Sequence, residues 1–111
     1  LQGITSVSIH PDDSTHKVAD RITESIKDVD CGDGVLLFTD MFGGTPSNIC
    51  LSFLEDGKVE VISGVNLPML FHIALNRDGV SLGELGATLQ NVGRENISLA
   101  SEILKGAGNG K

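Results

Sequence analysis

The stretch Thr39-Asp40-Met41-Phe42-Gly43-Gly44-Thr45-Pro46 sets a carboxylate, two glycines and a hydroxyl within a few residues of one another. Together they could do phosphate chemistry. Gly43 and Gly44 let the backbone pass close to a ligand with its N–H groups turned outward. Pro46 suits the first position of a helix with Thr45 as its cap, and helix N-termini attract anions. Thr45 adds a hydroxyl. Asp40 ends a buried apolar run, where a charge is costly without a partner. The candidate is a cradle of Gly43, Gly44 and Thr45 for phosphate, beside the Asp40 carboxylate. The same residues would serve equally as a plain strand-to-helix turn with a cap and two conformationally required glycines. The motif is not a Walker loop, because no Lys follows the glycines at the required spacing, and G-x-G-x-x-G is absent.

The three histidines are weaker candidates. His10 lies at the end of an alternating stretch and is followed by Pro11. His16 falls in the first turn of a helix and is expected in solvent. His72 stands beside Phe71 in an apolar helix. Each reads more readily as structural than catalytic. They are not spaced as metal ligands on one helix face, so no metal or other cofactor is expected. Asp12-Asp13 reads as a helix N-terminal acidic pair. Cys31 and Cys50 are too few and too far apart for a metal knuckle; two reduced thiols are expected.

The elements that must position these residues follow from periodicity. Ile4 to Ile9 alternates as a strand does. Ser14 caps a helix to about Asp28, with Val18, Ile22 and Ile26 on one face. Gly32-Asp33-Gly34 is a turn. Val35-Leu36-Leu37-Phe38 is a continuous apolar run, the mark of a parallel strand covered on both faces. Ile49, Cys50, Phe53 and Leu54 form the inner face of the helix after Pro46. Asp56-Gly57 turns the chain into a strand over Val59–Ile62. Pro68 opens a helix carrying Met69, Leu70, Ile73 and Ala74. Ser81 and Glu84 make a capping box for a helix through Leu85 and Leu89. Ile97 to Ala100 reads as a last short strand. The order β-α-β-α-β-α-α-β argues an α/β fold with a mostly parallel open sheet and helices on its faces. In such a fold ligands bind beyond the carboxyl ends of the strands. Three segments reach that edge: Ser8–His10, Thr39–Thr45 and Ser63–Asn66.

Composition narrows the partners. At 111 residues one domain is expected, over residues 1–104, with 105–111 as a disordered tail. Eight basic against 15 acidic residues give a net charge of −7, which repels a phosphate backbone and excludes nucleic acid as a partner. With four Phe and no Tyr or Trp, a base-stacking surface is also excluded. No apolar run approaches the ~20 residues that span a bilayer. There is no secretory signal at Leu1, so a cytoplasmic location is expected.

Two motifs sharpen this reading. Gly34-Val35-Leu36-Leu37-Phe38-Thr39-Asp40-Met41-Phe42-Gly43-Gly44-Thr45-Pro46-Ser47-Asn48 resembles the signature of the IIA component of mannose-type sugar phosphotransferase systems. Val59-Glu60-Val61-Ile62-Ser63-Gly64-Val65-Asn66-Leu67-Pro68-Met69-Leu70 resembles its second signature, and Gly93-Arg94-Glu95 its C-terminal region. The similarity runs from about Leu1 to about Leu104. The resemblance implies a phosphotransferase component. It would accept a phosphoryl group on a histidine from the carrier HPr and pass it to a IIB domain, which phosphorylates sugar entering through a membrane permease. Asp40 would hydrogen-bond the receiving imidazole, while Gly44, Thr45 and neighbouring amides hold the phosphoryl oxygens. The implied sheet is flavodoxin-like, in the order 2-1-3-4. A C-terminal edge strand over Asn96–Ser101 would be exchanged across a homodimer.

The chain departs from the family pattern at one point. The phosphorylated histidine lies in a Thr-His-Gly turn after the family's first strand, and no such turn is present. His10 matches the end of the second strand, because the helix after it leads directly into Val35–Asp40. A whole strand-helix unit is therefore expected before Leu1, carrying the acceptor histidine, and this chain alone is expected to be inactive. Two alternatives share the resemblance: a IIA-like regulatory module of a transcriptional activator, switched by phosphorylation, and a non-catalytic binding domain.

Overall fold

Ser14 starts the first helix as its residue type predicts. Its hydroxyl accepts the Lys17 N–H at 3.1 Å, and helix α1 runs Thr15–Val29. Val18 and Ile22 are buried on its inner face, with Ile26 half-buried above them. After the turn at Gly32 and Gly34, strand β1 covers Val35–Thr39. Gly34 sits at φ +99°, and a Cβ there would press on the Lys58 carbonyl at 3.3 Å, so the turn needs glycine twice over. The computed structural model describes residues 3–41, 43–76 and 78–108.

Helix α2 (Thr45–Leu51) follows β1, then strand β2 (Val59–Ser63), helix α3 (Leu67–Asn76), helix α4 (Leu82–Glu95) and helix α5 (Ala100–Gly108). The two strands pair in parallel, Val35 beside Val59 through Thr39 beside Ser63. Their side chains alternate between two helical layers. Leu37 and Val61 pack toward Val18, Ile22, Ile49 and Cys50 of α1 and α2. Leu36, Phe38 and Ile62 pack toward Met69 of α3 and Leu85 and Leu89 of α4. This is the α/β architecture with helices on both faces and a small parallel sheet. Ser81 caps α4 by accepting the Glu84 N–H at 3.2 Å. Among the described residues, no helix is long and apolar enough to cross a membrane.

Several expectations are corrected. The alternating stretch Ile4–Ile9 is extended but makes no ladder, and the sheet described contains β1 and β2 alone. A strand needs a neighbour for its N–H and C=O groups, and 4–9 has none among the described residues. It is held instead by Val7 and Ile9, which pack against the α1–α2 core. Of the implied order 2-1-3-4, the described residues therefore contain the last pairing only.

The stretch Ile97–Ala100 is likewise no strand. Residues 97–99 lead into α5, whose first turn closes with Glu102 N–H and Ile103 N–H donating to the Leu99 carbonyl. Local i→i−4 bonds satisfy this backbone where a ladder lacks a partner. The helix also takes in residues 105–108 of the expected tail; 109–111 lie outside the described residues. Thr45 does not cap α2. It is the first helical residue, Gly44 is the N-cap, and no side chain caps that end. Pro46 then falls second, where its missing N–H still costs nothing. Finally, α2 ends at Leu51, so Phe53 and the exposed Leu54 follow the helix, though Phe53 still packs against the core of Ile49 and Cys50.

Candidate functional site

Beyond the carboxyl ends of β1 and β2, three hydroxyls join in a line. The Thr39 hydroxyl donates to Ser63 Oγ at 3.0 Å, and Ser47 Oγ lies 3.3 Å from the same atom. Thr39 and Ser47 are buried, Ser47 completely. The line fastens the ends of both strands to α2. Gly64 and Val65 both donate their N–H groups to the Thr39 carbonyl at 3.0 Å. Asn66 completes the floor: its amide donates to the Gly93 carbonyl at 2.9 Å, and its side-chain oxygen accepts the Met69 N–H at 3.4 Å. Thus the 63–66 segment is tied down on both sides.

The candidate residues sit on this floor. Asp40 follows Thr39 directly and is exposed. The cost expected for a buried carboxylate does not arise, because Asp40 is exposed, and it has no ion-pair partner among the described residues. Gly43 has φ +93° and open space where a Cβ would stand, so the backbone is bare to an approaching anion. Gly44 is half-buried, and the Asn48 N–H donates to its carbonyl at 2.9 Å to close the first turn of α2. Thr45 is exposed with its hydroxyl free of the capping role expected of it. Asp40, Gly43 and Thr45, all exposed, and half-buried Gly44 thus lie close along the chain to the buried hydroxyls of Thr39 and Ser47. Such a stretch can present N–H groups and a hydroxyl to phosphoryl oxygens while a carboxylate orients a nearby N–H.

The segment Ser8–His10 reaches the same edge. A cleft of about 260 Å³ has His10, Pro11 and Asp13 on one wall and Thr45, Pro46 and Ile49 on the other. Its backbone is pinned by Arg21, which donates to the Ser8 carbonyl at 3.0 Å and to Asp13 Oδ2 at 2.7 Å. Asp13 in turn accepts the His10 backbone N–H at 2.9 Å. Asp13 thus differs from the helix N-terminal acidic residue expected: it lies before α1 and is bonded to His10 and Arg21. The Arg21 hydrogen bond first, and the His10 N–H second, hold its carboxyl below the ordinary aspartate range.

A pH dependence follows. A carboxylate whose folded pKa is depressed stabilises the fold above its unfolded pKa of ~3.9, and that stabilisation is lost as pH falls through the lower folded value. Urea midpoints measured from neutral pH down to about pH 2.5 are expected to drop more steeply below pH 4 for the native protein than for Asp13→Asn. Parallel curves would remove Asp13 from the acid response.

The other titratable candidates are accounted for. His16 is solvated, 3.5 Å from Asp20 on the same face of α1. His72 is half-buried in α3, and its carbonyl accepts from Asn76. Cys31 and Cys50 are both free thiols; burial pushes the Cys50 thiol up, so it is unreactive in place. Among the described residues no cluster of His, Cys, Asp and Glu could hold a metal. The hydroxyl line was not anticipated from sequence. Its signal was available in two strands of equal length that both end on a hydroxyl residue, Thr39 and Ser63.

Known proteins resemble this chain in sequence and in overall fold. The family model EIIA-man, described as the PTS system fructose IIA component, matches residues 1–90. The chain is 32% identical over 87 residues to the fructose-specific EIIA component of Bacillus subtilis (strain 168), covering 78% of this chain and 60% of that protein. It therefore spans less than two thirds of that relative's length. It is 31% identical over 101 residues to the sorbose-specific EIIA component of Lacticaseibacillus casei, covering 86% and 72% of the two chains. The crystal structure of a phosphotransferase system EIIA component from Streptococcus agalactiae superposes with a TM-score of 0.71 at 27% identity, covering 83% of this chain and 72% of that one. A family match over most of the chain, joined to a matching fold, places this protein among the mannose-type IIA components of the sugar phosphotransferase system.

Proposed function

We propose that the protein is a cytoplasmic phosphoryl carrier, relaying phosphate from phospho-HPr through a histidine to a IIB domain for sugar uptake. The observation that carries this reading is the stretch of Asp40, Gly43, Gly44 and Thr45 close along the chain to the buried hydroxyls of Thr39 and Ser47, in a chain of this family. In this reading the acceptor imidazole comes from residues preceding Leu1 in the native protein. Its ring nitrogen supplies the electron pair for the new P–N bond, and the donor imidazole leaves with the pair of the broken one. Asp40 accepts a hydrogen bond from the acceptor ring, fixing its tautomer and stabilising its cationic form. The Thr45 hydroxyl and the amides beside Gly43 and Gly44 donate to the phosphoryl oxygens, so transfer is positioning plus electrostatics. In the same reading the exposed Ile97, Leu99, Ile103 and Leu104 join a second copy of the chain.

Intact mass tests the relay. The full-length native protein, incubated with phosphoenolpyruvate, enzyme I and HPr, is expected to gain one phosphoryl mass that acid removes. A full-length protein that stays unmodified beside a phosphorylated HPr would overturn the reading.

A further inference from the structure

His10 has an unusual setting for a surface histidine. The backbone around it is locked: its N–H donates to Asp13, its carbonyl accepts the Asp13 N–H at 3.0 Å, and Arg21 ties Asp13 to Ser8. Its side chain is exposed, and the ring makes no hydrogen bond among the described residues. A rigid backbone carrying a free ring costs conformational entropy that packing does not repay here.

The cleft beside it has a second property. One wall carries Thr45, the hydroxyl of the proposed phosphate turn, and the other carries His10. No Lys or Arg lines this cleft. The one other ionisable group on it, Asp13, is already neutralised by Arg21. In a chain of net charge −7, an anionic phosphoryl group entering the cleft meets a single side chain able to carry positive charge, and that is His10.

We propose that His10 is a phosphoryl-contacting residue of the transfer site, its imidazole N–H donating to the phosphoryl oxygens from across the cleft to Thr45. The proposal rests on the carrier reading above. His10 forms no bond to phosphorus; it supplies one hydrogen bond. The charged groups around the ring are Asp13 and Arg21, paired with each other, and Glu24 and Asp28, which line the open hollow on its other side. The start of α2 contributes no charge to the cleft.

The test is the rate of transfer from phospho-HPr to full-length native protein, His10→Ala and His10→Gln, with a thermal midpoint for each. His10→Ala is expected to be about tenfold slower with an unchanged midpoint. His10→Gln, whose amide can still donate, is expected to recover most of the native rate. A native rate in His10→Ala would overturn the proposal and leave the carrier reading intact. Slowing accompanied by a lowered thermal midpoint, with no recovery in His10→Gln, would also overturn it by assigning His10 a structural part. No transfer to the native protein would instead sink the carrier reading, and this proposal with it.

Discussion

Asp40→Asn is expected to slow phosphoryl transfer from phospho-HPr by about 10²-fold or more, with the fold intact. The substitution keeps size and removes the charge. In the proposed mechanism that charge orients the acceptor imidazole and stabilises its cationic form as the P–N bond develops. Losing a preorganised electrostatic contact of this kind typically costs 10²–10³ in rate, or about 2.7–4 kcal/mol. Stability responds differently, because Asp40 is exposed and unpaired among the described residues. The unfolding free energy of the variant is therefore expected to move by no more than about 0.5 kcal/mol. Single-turnover transfer and urea unfolding, run on one preparation, separate the two effects. A native rate would remove Asp40 from the site. A large loss of stability would mean that the carboxylate braces the loop 40–44.

Leu89→Ala is expected to cost about 2–5 kcal/mol of stability. Leu89 is fully buried at 0% exposure, between Ile62 of β2 and Met69 and Leu85 on the helical side. Truncation removes three carbons from a well-filled space and leaves a cavity that the rigid strand pair cannot collapse into. Against a typical domain stability of about 5–15 kcal/mol, this is a large fraction. Leu104, 71% exposed on α5, provides the contrast: Leu104→Ala is expected to change the monomer by less than about 0.5 kcal/mol. The loss at Leu89 should reach the site as well. The Asn66 bond to Gly93 ties the 63–66 segment to α4, so loosening α4 loosens that segment. A cost below 1 kcal/mol for Leu89→Ala would mean that α4 is not docked on β2 as described.

Much of this protein is legible in its sequence, and the legible parts share a cause. Helix starts at Ser14 and Ser81 depend on a hydroxyl reaching an amide three residues on, and both are present. The buried stripe of Val18 and Ile22 and the apolar strand Val35–Phe38 are patterns within one segment. The proposed phosphate turn is legible for the same reason, since Asp40, Gly43, Gly44 and Thr45 are near neighbours in the chain. Its family signature is equally local.

What tertiary structure alone decided involves partners distant in sequence. Alternation at Ile4–Ile9 predicts a strand, yet a strand exists only where another offers it a ladder, and none does among the described residues. Ile97–Ala100 meets the same lack, and local helical bonding takes its C-terminal end. The hydroxyl line joins Thr39 to Ser63 across 24 residues and Ser47 to Ser63 across 16, a meeting set by the parallel register of β1 and β2. The exposure of Asp40, which makes its charge cheap, depends on where β1 ends relative to the surrounding helices. The cleft between His10 and Thr45 depends on how α1 packs against α2. Sequence thus determined the groups available for chemistry and the helices that carry them, because those follow from neighbours along the chain. The fold decided which groups face one another, because that requires distant segments to pack.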